Sequence, residues 1–334
     1  RVIRYRYGYG QYSGPEPVPV PEHLNLAPDC RDPRPENVFP SANHPASPWV
    51  PSFSRHPPPE AATCHPKRNL IQMSLLSRLT TYSAKPALAG AWGVVTYAEL
   101  TELIAKARHE IARLKLDRPT VFGLVGEHGP ASTAWLLALA EAGHFVAPLS
   151  GNAAEHPAKL ALINAQWIIV ADALEWKLLP RVDEPSAHPL FQQLCEQGAP
   201  GLILFSSGTS GAPKAMVQNF GKLLESYESR HESDLAMLAL LGFDHIGGLN
   251  TLLNTLAAGS LLAVPASRSP ADVAATIARH HVAILPASPT FLNLLLAAGV
   301  AGDLASLRVI TYGTEPMPER MLVRLKAVFP RVRL

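Results

Sequence analysis

The sequence has few cysteines and few charged residues for its length. Cys30, Cys64 and Cys195 are the three cysteines in 334 residues, and they lie too far apart for a disulfide framework or a metal-ligand spacing. Charged residues make up 17% of the chain, below the roughly 25% of an average globular protein. The net charge of +2 is too small to indicate binding to nucleic acid or to a membrane surface. These shortages argue against a disulfide-stabilised secreted protein and favour a cytoplasmic one.

The sequence also lacks an uninterrupted apolar segment long enough to cross a membrane. No signal peptide is recognisable, because the N-terminus has no apolar core. Residues 246–267 and 282–302 are uncharged and long enough to span a bilayer, but Pro, Gly, Asn, Ser and Thr interrupt both. Each stretch is better interpreted as a helix and a strand in succession. We therefore expect no membrane span.

Residues 1–72 differ in composition from the rest of the chain. Fifteen of the 32 prolines lie within the first 68 residues, which show little periodic apolar pattern. The interleaved Arg and Tyr of "RVIRYRYGYGQY" would suit an RNA-binding arm. Since Arg1 is not a start residue and Met73 is the first methionine, we favour a disordered or spurious extension. Residues 73–334 are expected to form the folded part.

After Met73 the sequence alternates between helical and strand patterns. "TYAELTELIAKARHEIARL" predicts an amphipathic helix that begins with a capping box of Thr96 and Glu99. Short apolar runs predict strands at 202–205, 235–241, 260–264, 282–285 and 308–311, and helices are predicted at 269–280, 288–298 and 318–328. Such alternation favours an α/β fold with largely parallel sheets.

The segment "SSGTSGAPK" at residues 206–214 predicts an anion-binding loop. Gly208 and Gly211 permit tight turns and leave backbone N–H groups accessible, and Lys214 adds a positive charge. Hydroxyl groups come from Ser206, Ser207, Thr209 and Ser210. A phosphate chain is the ligand that this combination favours. A flexible Gly/Ser linker is the alternative, but the apolar "GLILF" before the loop argues against it.

Two known motifs resemble this loop only in part. A Walker A loop needs lysine directly after glycine, whereas Pro213 precedes Lys214 and Ala215 follows it. The nucleophile elbow of serine hydrolases is G-x-S-x-G, and "GTSGA" places Ser210 correctly but ends in Ala212. A serine hydrolase therefore remains the alternative function.

The longer segment "LFSSGTSGAPK" resembles the phosphate-binding loop of the adenylate-forming superfamily, which includes acyl- and aryl-CoA synthetases, luciferases and nonribosomal-peptide adenylation domains. "VVTYAEL" and "LALAEAGHFVAPLS" are similar to other stretches of that family, so the resemblance covers about residues 73–334. It implies an α/β fold in which helices sandwich two mostly parallel β-sheets.

The resemblance implies that ATP activates a carboxylic acid, fatty or aryl, to an acyl-adenylate. Coenzyme A or the pantetheine of an acyl carrier protein would then accept the acyl group. The loop would hold the β- and γ-phosphates, with Thr209 near Mg²⁺ and Lys214 as a catalytic cation. The implied nucleotide-binding residues of the loop are Ser206, Ser207, Gly208, Thr209, Ser210, Gly211 and Lys214.

"GFDHIGGLNTLL" resembles the family's histidine-containing segment beside the acyl pocket. By this resemblance His245 would lie beside the reacting carboxylate, with Gly247 and Gly248 lining the substrate site. A histidine whose hydrogen bonds are satisfied in the core, or one on the surface, is the alternative. Asp244 complicates the assignment, because amino-acid-activating relatives carry an aspartate near this position.

Two further segments are candidates for ligand contacts. In "ILPASPTFLNLL", Ser288 would border the acyl pocket, although a helix cap is the favoured interpretation. In "VITYGTEPMPERMLVRL", the resemblance assigns Gly313, Thr314 and Glu315 to an adenine-contacting segment. The alternative is a strand-to-helix turn without a ligand.

The family's magnesium-binding glutamate, ribose-binding aspartate and C-terminal domain with its catalytic lysine would follow Leu334. We therefore expect an incomplete adenylation domain, which binds ATP weakly at most and is inactive alone. A non-catalytic nucleotide-binding fragment stays open as a second alternative.

A shortened chain that begins at Met73 should keep the thermal midpoint of the full chain, because a proline-dense segment without apolar periodicity cannot form a packed core. Differential scanning calorimetry of both chains measures this. A clearly lower midpoint for the shortened chain would show that the segment packs on the fold.

Overall fold

The structure is a computed structural model that describes residues 74–181, 188–207, 213–300 and 304–334. All of them belong to one compact unit, Ala61–Leu334. The extension predicted at the N-terminus lies outside the described residues.

Helices and strands alternate along the described chain. The strands are β1 (Pro86–Gly90), β2 (Gly93–Thr96), β3 (Val121–Val125), β4 (Phe145–Leu149), β5 (Trp167–Asp172), β6 (Glu175–Pro180), β7 (Gly201–Ser207), β8 (Pro213–Asn219), β9 (Met237–Leu238), β10 (Leu262–Ala263), β11 (Ile284–Ala287) and β12 (Val309–Tyr312). The helices are α1 (Ser74–Tyr82), α2 (Tyr97–Arg113), α3 (Pro130–Glu141), α4 (His156–Leu162), α5 (Pro189–Glu196), α6 (Phe220–Glu225), α7 (Ile246–Ala258), α8 (Pro270–His280), α9 (Pro289–Ala297) and α10 (Glu319–Val328).

The strands form two sheets of six. Sheet A has the order β2–β1–β10–β9–β11–β12, and sheet B has the order β6–β5–β3–β4–β7–β8. Within the described ranges, antiparallel pairing is confined to the edge strands β2, β6 and β8. The largely parallel sheets expected from the sequence are therefore confirmed.

Helices lie between the two sheets as well as outside them. The central core combines side chains of both sheets, such as Leu88 and Phe122, with those of α1, α2, α3, α6 and α7. A second core packs α8, α9 and α10 on the outer face of sheet A, and a third packs α4 and α5 on sheet B. The expected sandwich of sheets between helices is confirmed, with an additional helical layer at its centre.

Helix α2 shows how local sequence sets these elements. Thr96 caps the helix by accepting a hydrogen bond from the backbone of Glu99, whose carboxylate accepts one in return from the Thr96 N–H. The predicted capping box is therefore confirmed. The apolar face that the spacing predicts is buried at Leu100, Ile104, Ala107 and Ile111.

The two uncharged stretches are pairs of elements, as predicted. Residues 246–267 contain α7 and β10, and residues 282–302 contain β11 and α9. None of the helices that the structure describes combines the length and apolar character needed to cross a bilayer. The strands predicted at 235–241 and 260–264 are each only two residues long in the structure. Pairing between them is limited to Met237–Leu238 of β9 and Leu262–Ala263 of β10.

Helix α7 begins against the loop that precedes it. Gly248 is buried, and a Cβ added there would overlap the carbonyl oxygen of Gly242. A Cβ on Gly247 would approach only the end of the flexible Leu241 side chain, at 2.9 Å from Cδ1. Space for the backbone, rather than a contact with ligand, explains the glycine at position 248.

Gly248→Ala should lower the free energy of unfolding by about 1–3 kcal/mol, because the added methyl group displaces the backbone of α7 from Gly242. Gly247→Ala is the matched control. Its effect should stay within about 1 kcal/mol, since the Leu241 side chain can move and alanine favours the helix. Urea denaturation measures both, and equal losses would contradict this account.

Two buried histidines are held in the neutral form. Burial lowers the pKa of His144 to about 4, and its Nδ1 accepts a hydrogen bond from the Thr120 N–H at 3.2 Å. The pKa of His128 is also lowered to about 4, mainly by burial. The positive charge of Arg268 contributes to the lowering, whereas the Leu241 carbonyl and Asp244 oppose it. Protonation is therefore easier in the unfolded chain than in the folded protein.

The stabilisation from a depressed histidine pKa is complete above the ordinary value of 6.5 and is lost as pH falls toward 4. The free energy of unfolding should therefore fall across that window by about 3 kcal/mol for each of these histidines. His144→Asn keeps an acceptor for the Thr120 N–H but does not titrate. The fall in the free energy of unfolding between pH 6.5 and pH 4 should therefore be about 3 kcal/mol smaller in this variant. His109→Asn, at an exposed position, is the control. An unchanged slope in His144→Asn would contradict the assignment.

Candidate active site

Several sequence-predicted site residues lie at or after the carboxyl ends of parallel strands. Ser206 and Ser207 end β7, whereas His245 follows β9. Ser288 follows β11, and residues 313–315 follow β12. Because ligands of α/β sheets bind at the carboxyl ends of the strands, these positions are the natural place for a site.

Three contacts join the carboxyl ends of the two sheets. Ser150 Oγ, after β4, donates a hydrogen bond to Asp244 Oδ1 at 2.6 Å. His128 Nε2, after β3, donates one to the Leu241 carbonyl oxygen at 2.9 Å. Arg268 and Glu127 approach to 3.8 Å at the surface, where such a pair contributes little to stability. The strand ends of sheet B therefore adjoin the 241–245 segment of sheet A.

His245 is accessible at this junction. It is the N-cap residue of α7, makes no side-chain cap bond, and has 69% of its side chain exposed. Its Nε2 lies 3.8 Å from Asp244 Oδ1, and the Asp244 side chain is only 17% exposed. An exposed imidazole beside a fixed carboxylate can bind a ligand or carry a proton. Its predicted place beside a reacting carboxylate stays a prediction.

The phosphate-loop segment connects two antiparallel strands. Ser206 pairs with Lys214 and Ser207 with Pro213, so β7 and β8 form an antiparallel pair on either side of residues 208–212. The predicted contacts of Gly208, Thr209, Ser210 and Gly211 lie outside the described residues. This strand-loop-strand context differs from the strand-to-helix turn of a nucleophile elbow, so it does not favour Ser210 as a hydrolase nucleophile.

The strand register places Ser206 and Lys214 on one face of the hairpin. Leu202 and Leu204 belong to the central core, whereas Ile203 and Phe205 belong to the outer core of sheet B. By the two-residue alternation of a strand, Ser206 shares the face of Leu202 and Leu204. Lys214, which stands opposite Ser206 and is exposed, therefore projects on the side that faces sheet A.

The 313–315 segment is anchored to helix α9. Glu315 Oε2 accepts hydrogen bonds from the Thr290 N–H at 3.2 Å and from the Thr290 hydroxyl at 2.6 Å. Thr314 has a left-handed backbone with φ of 69°, which strains a residue with a branched side chain. A Cβ on Gly313 would meet open space. The turn is therefore fixed by Glu315 and leaves Gly313 accessible.

Ser288 caps helix α9, as the favoured interpretation predicted. Its Oγ accepts a hydrogen bond from the Phe291 N–H at 3.2 Å. The hydroxyl is thereby engaged within the protein. A substrate contact by Ser288 stays a prediction, as do those of Gly247 and of the buried Gly248.

Sequence reasoning missed Glu127, His128, Ser150 and Arg268. Each of them comes within a few residues of a strand that ends at the junction. Polar residues directly after buried strands were the available signal. No group of three His, Cys, Asp or Glu side chains forms a metal-ligand cluster within the described ranges.

Known proteins match this chain in sequence and in fold. The family model described as AMP-binding enzyme matches residues 77–334. The chain is 26% identical over 208 residues to 4-coumarate–CoA ligase-like 6 of Arabidopsis thaliana, which covers 56% of this chain and 37% of the relative. It is 24% identical over 263 residues to indoleacetate–CoA ligase of Aromatoleum aromaticum, which covers 68% and 52% respectively.

The solved structure of a luciferase-like enzyme from the nonluminescent mealworm Zophobas morio has the same fold. The TM-score is 0.63 at 18% identity, over 79% of this chain and 71% of the other. The two curated relatives are longer than this chain, which spans 37% and 52% of their lengths. Since the family model covers most of the sequence, the chain belongs to the AMP-binding enzymes of the adenylate-forming superfamily.

Proposed function

We propose that the protein activates a carboxylic acid with ATP to an acyl-adenylate and then transfers the acyl group to a thiol. In the first step the carboxylate oxygen attacks the α-phosphorus and pyrophosphate leaves. In the second step the thiol sulfur attacks the acyl carbon and AMP leaves. Residues 73–334 would be the part of the adenylation domain that holds the phosphates of the nucleotide and the acid.

One observation carries this proposal. The Ser206–Lys214 pair at the end of sheet B projects toward sheet A, and Ser150 joins neighbouring strand β4 to the segment that holds His245. A nucleotide on the hairpin and an acid beside His245 would therefore meet at one junction. Holding two reactants in line contributes much of the rate enhancement in such a displacement.

The hairpin residues would bind the phosphates of ATP. Ser206, Ser207 and the backbone N–H groups of 208–211 would donate hydrogen bonds, and Lys214 would offset charge on the leaving pyrophosphate. Bound Mg²⁺ would neutralise phosphate charge, and Thr209 is the proposed protein ligand. Mg²⁺ carried by a nucleotide needs only one or two protein oxygens, which a single side chain can supply.

The 313–315 segment would contact the adenine. Glu315 is fixed by its two bonds to Thr290, and the left-handed Thr314 turns the backbone at the carboxyl end of β12. The accessible backbone at Gly313 would let the flat base approach closely.

The acid would be an aryl or fatty acid, and the names of the two curated relatives favour an aryl acid and coenzyme A. His245 would contact its carboxylate. A carrier-bound pantetheine is the other candidate acceptor.

Binding of non-hydrolysable acyl-adenylate analogues tests this function without requiring turnover. Benzoyl-, indoleacetyl- and decanoyl-sulfamoyladenosine can be titrated calorimetrically against the 334-residue chain. We expect at least one to bind more tightly than AMP, because it occupies the acid and nucleotide sites together. Binding of none, or labelling of Ser210 by a fluorophosphonate probe, would contradict the proposal.

Lys214→Ala should weaken binding of Mg²⁺–ATP by roughly 1.5–3 kcal/mol, or roughly 10- to 150-fold in Kd, because it removes a charge-assisted contact with phosphate. Lys106→Ala, which removes another exposed lysine, on α2, should leave the affinity unchanged. Isothermal titration calorimetry measures both. Equal affinities of the two variants would remove Lys214 from the phosphate site.

A further inference from the structure

Asp244 lies where the two sheets join, and its carboxylate has neighbours on two sides. Ser150, from sheet B, donates a hydrogen bond to Oδ1 at 2.6 Å. The same oxygen lies 3.8 Å from Nε2 of His245. Asp244 is mostly buried, at 17% exposure, whereas His245 is 69% exposed. The carboxylate is thus fixed from one side while the imidazole stays free to meet a ligand.

The backbone beneath these two side chains is tightly confined. A Cβ on Gly242 would lie 2.8 Å from Asp244 Oδ1 and 3.0 Å from His245 Cδ2, so both side chains rest directly on that glycine. The His245 N–H donates to the Gly242 carbonyl at 3.1 Å. His128 holds the preceding Leu241 carbonyl. The geometry of the pair is therefore determined by packing as well as by charge.

We propose that Asp244, held by Ser150, is a positioning residue that orients the His245 imidazole for the acid substrate. The carboxylate attracts the Nε2–H edge of the ring and thereby fixes the plane of the imidazole that the acid substrate meets. Ser150 follows β4, the direct neighbour of β7, so the hydrogen bond also sets His245 relative to the strand that leads into the phosphate hairpin. This inference rests on the proposed function.

A double-mutant cycle tests whether Ser150 and Asp244 act through His245. The probe is whichever of the three sulfamoyladenosines binds best to the unaltered chain. Ser150→Ala and Asp244→Asn should each weaken its binding about fivefold, but change it less than about twofold in a His245→Ala background, because residues that act through one another are not additive. Ser150→Thr, which keeps the hydroxyl donor, should restore binding.

A purely structural role for the hydrogen bond would give a different pattern. The same losses would then appear with and without His245, and AMP, which carries no acyl group, would be affected equally. We expect AMP affinity to stay unchanged, and any fall in the thermal midpoint to be the same with and without His245. Ser226→Ala, which removes an exposed hydroxyl bonded to its own helix, is the matched control. Additive losses in the His245→Ala background would overturn the inference while leaving the proposed function intact.

A spectroscopic measurement separates the two proposals. Long-range ¹H–¹⁵N spectra show which ring nitrogen of His245 carries the proton. The Nε2–H form should predominate in the unaltered chain and in Ser150→Thr, and decline in Asp244→Asn and Ser150→Ala. An identical tautomer ratio in all four proteins would overturn the inference, whether or not any sulfamoyladenosine binds. If the ratio responds but no probe binds, the proposed function fails instead.

Discussion

Parallel pairing is the constraint on which the candidate site depends. A parallel strand can follow another only if the chain returns across the face of the sheet, so successive strands end at the same edge. In sheet B this brings the ends of β3, β4 and β7 together, and in sheet A the ends of β9, β10, β11 and β12. Polar residues that are distant in sequence, such as Ser150 and Asp244, thereby become neighbours. The topology of the strands therefore determines where the site lies, whichever side chains occupy it.

Small residues then set the backbone of the 241–248 segment. The side chains of Asp244 and His245 pack on Gly242. The first turn of α7 packs on the same backbone because Gly248 has no side chain. Burial keeps His128 neutral, so its ring donates to the Leu241 carbonyl without introducing a charge into the core. Each of these features positions the backbone of 241–248. The accessible group that results is the imidazole of His245.

Local sequence pattern was sufficient for several of the elements. The capping box at Thr96, the cap at Ser288 and the alternation of strands and helices follow from local pattern. The sequence analysis assigned no strand to β1, β2, β6 or β8. The edge strands β2, β6 and β8 pair on one side and expose much of their length, whereas β1 is buried but only five residues long. The contacts of Ser150 and Glu315 could not be predicted either, since each joins segments that only the folded topology brings together. Long-range polar pairs leave no periodic trace in a sequence.

Strand β8 lies at the edge of sheet B, so residues 208–212 connect to the sheet through an edge strand. In the described part of the chain β8 pairs only with β7, at the end of sheet B. An insertion or exchange within residues 208–212 therefore shifts no register among the parallel strands. Changes in the 208–212 segment and changes in the buried strands can thus accumulate independently.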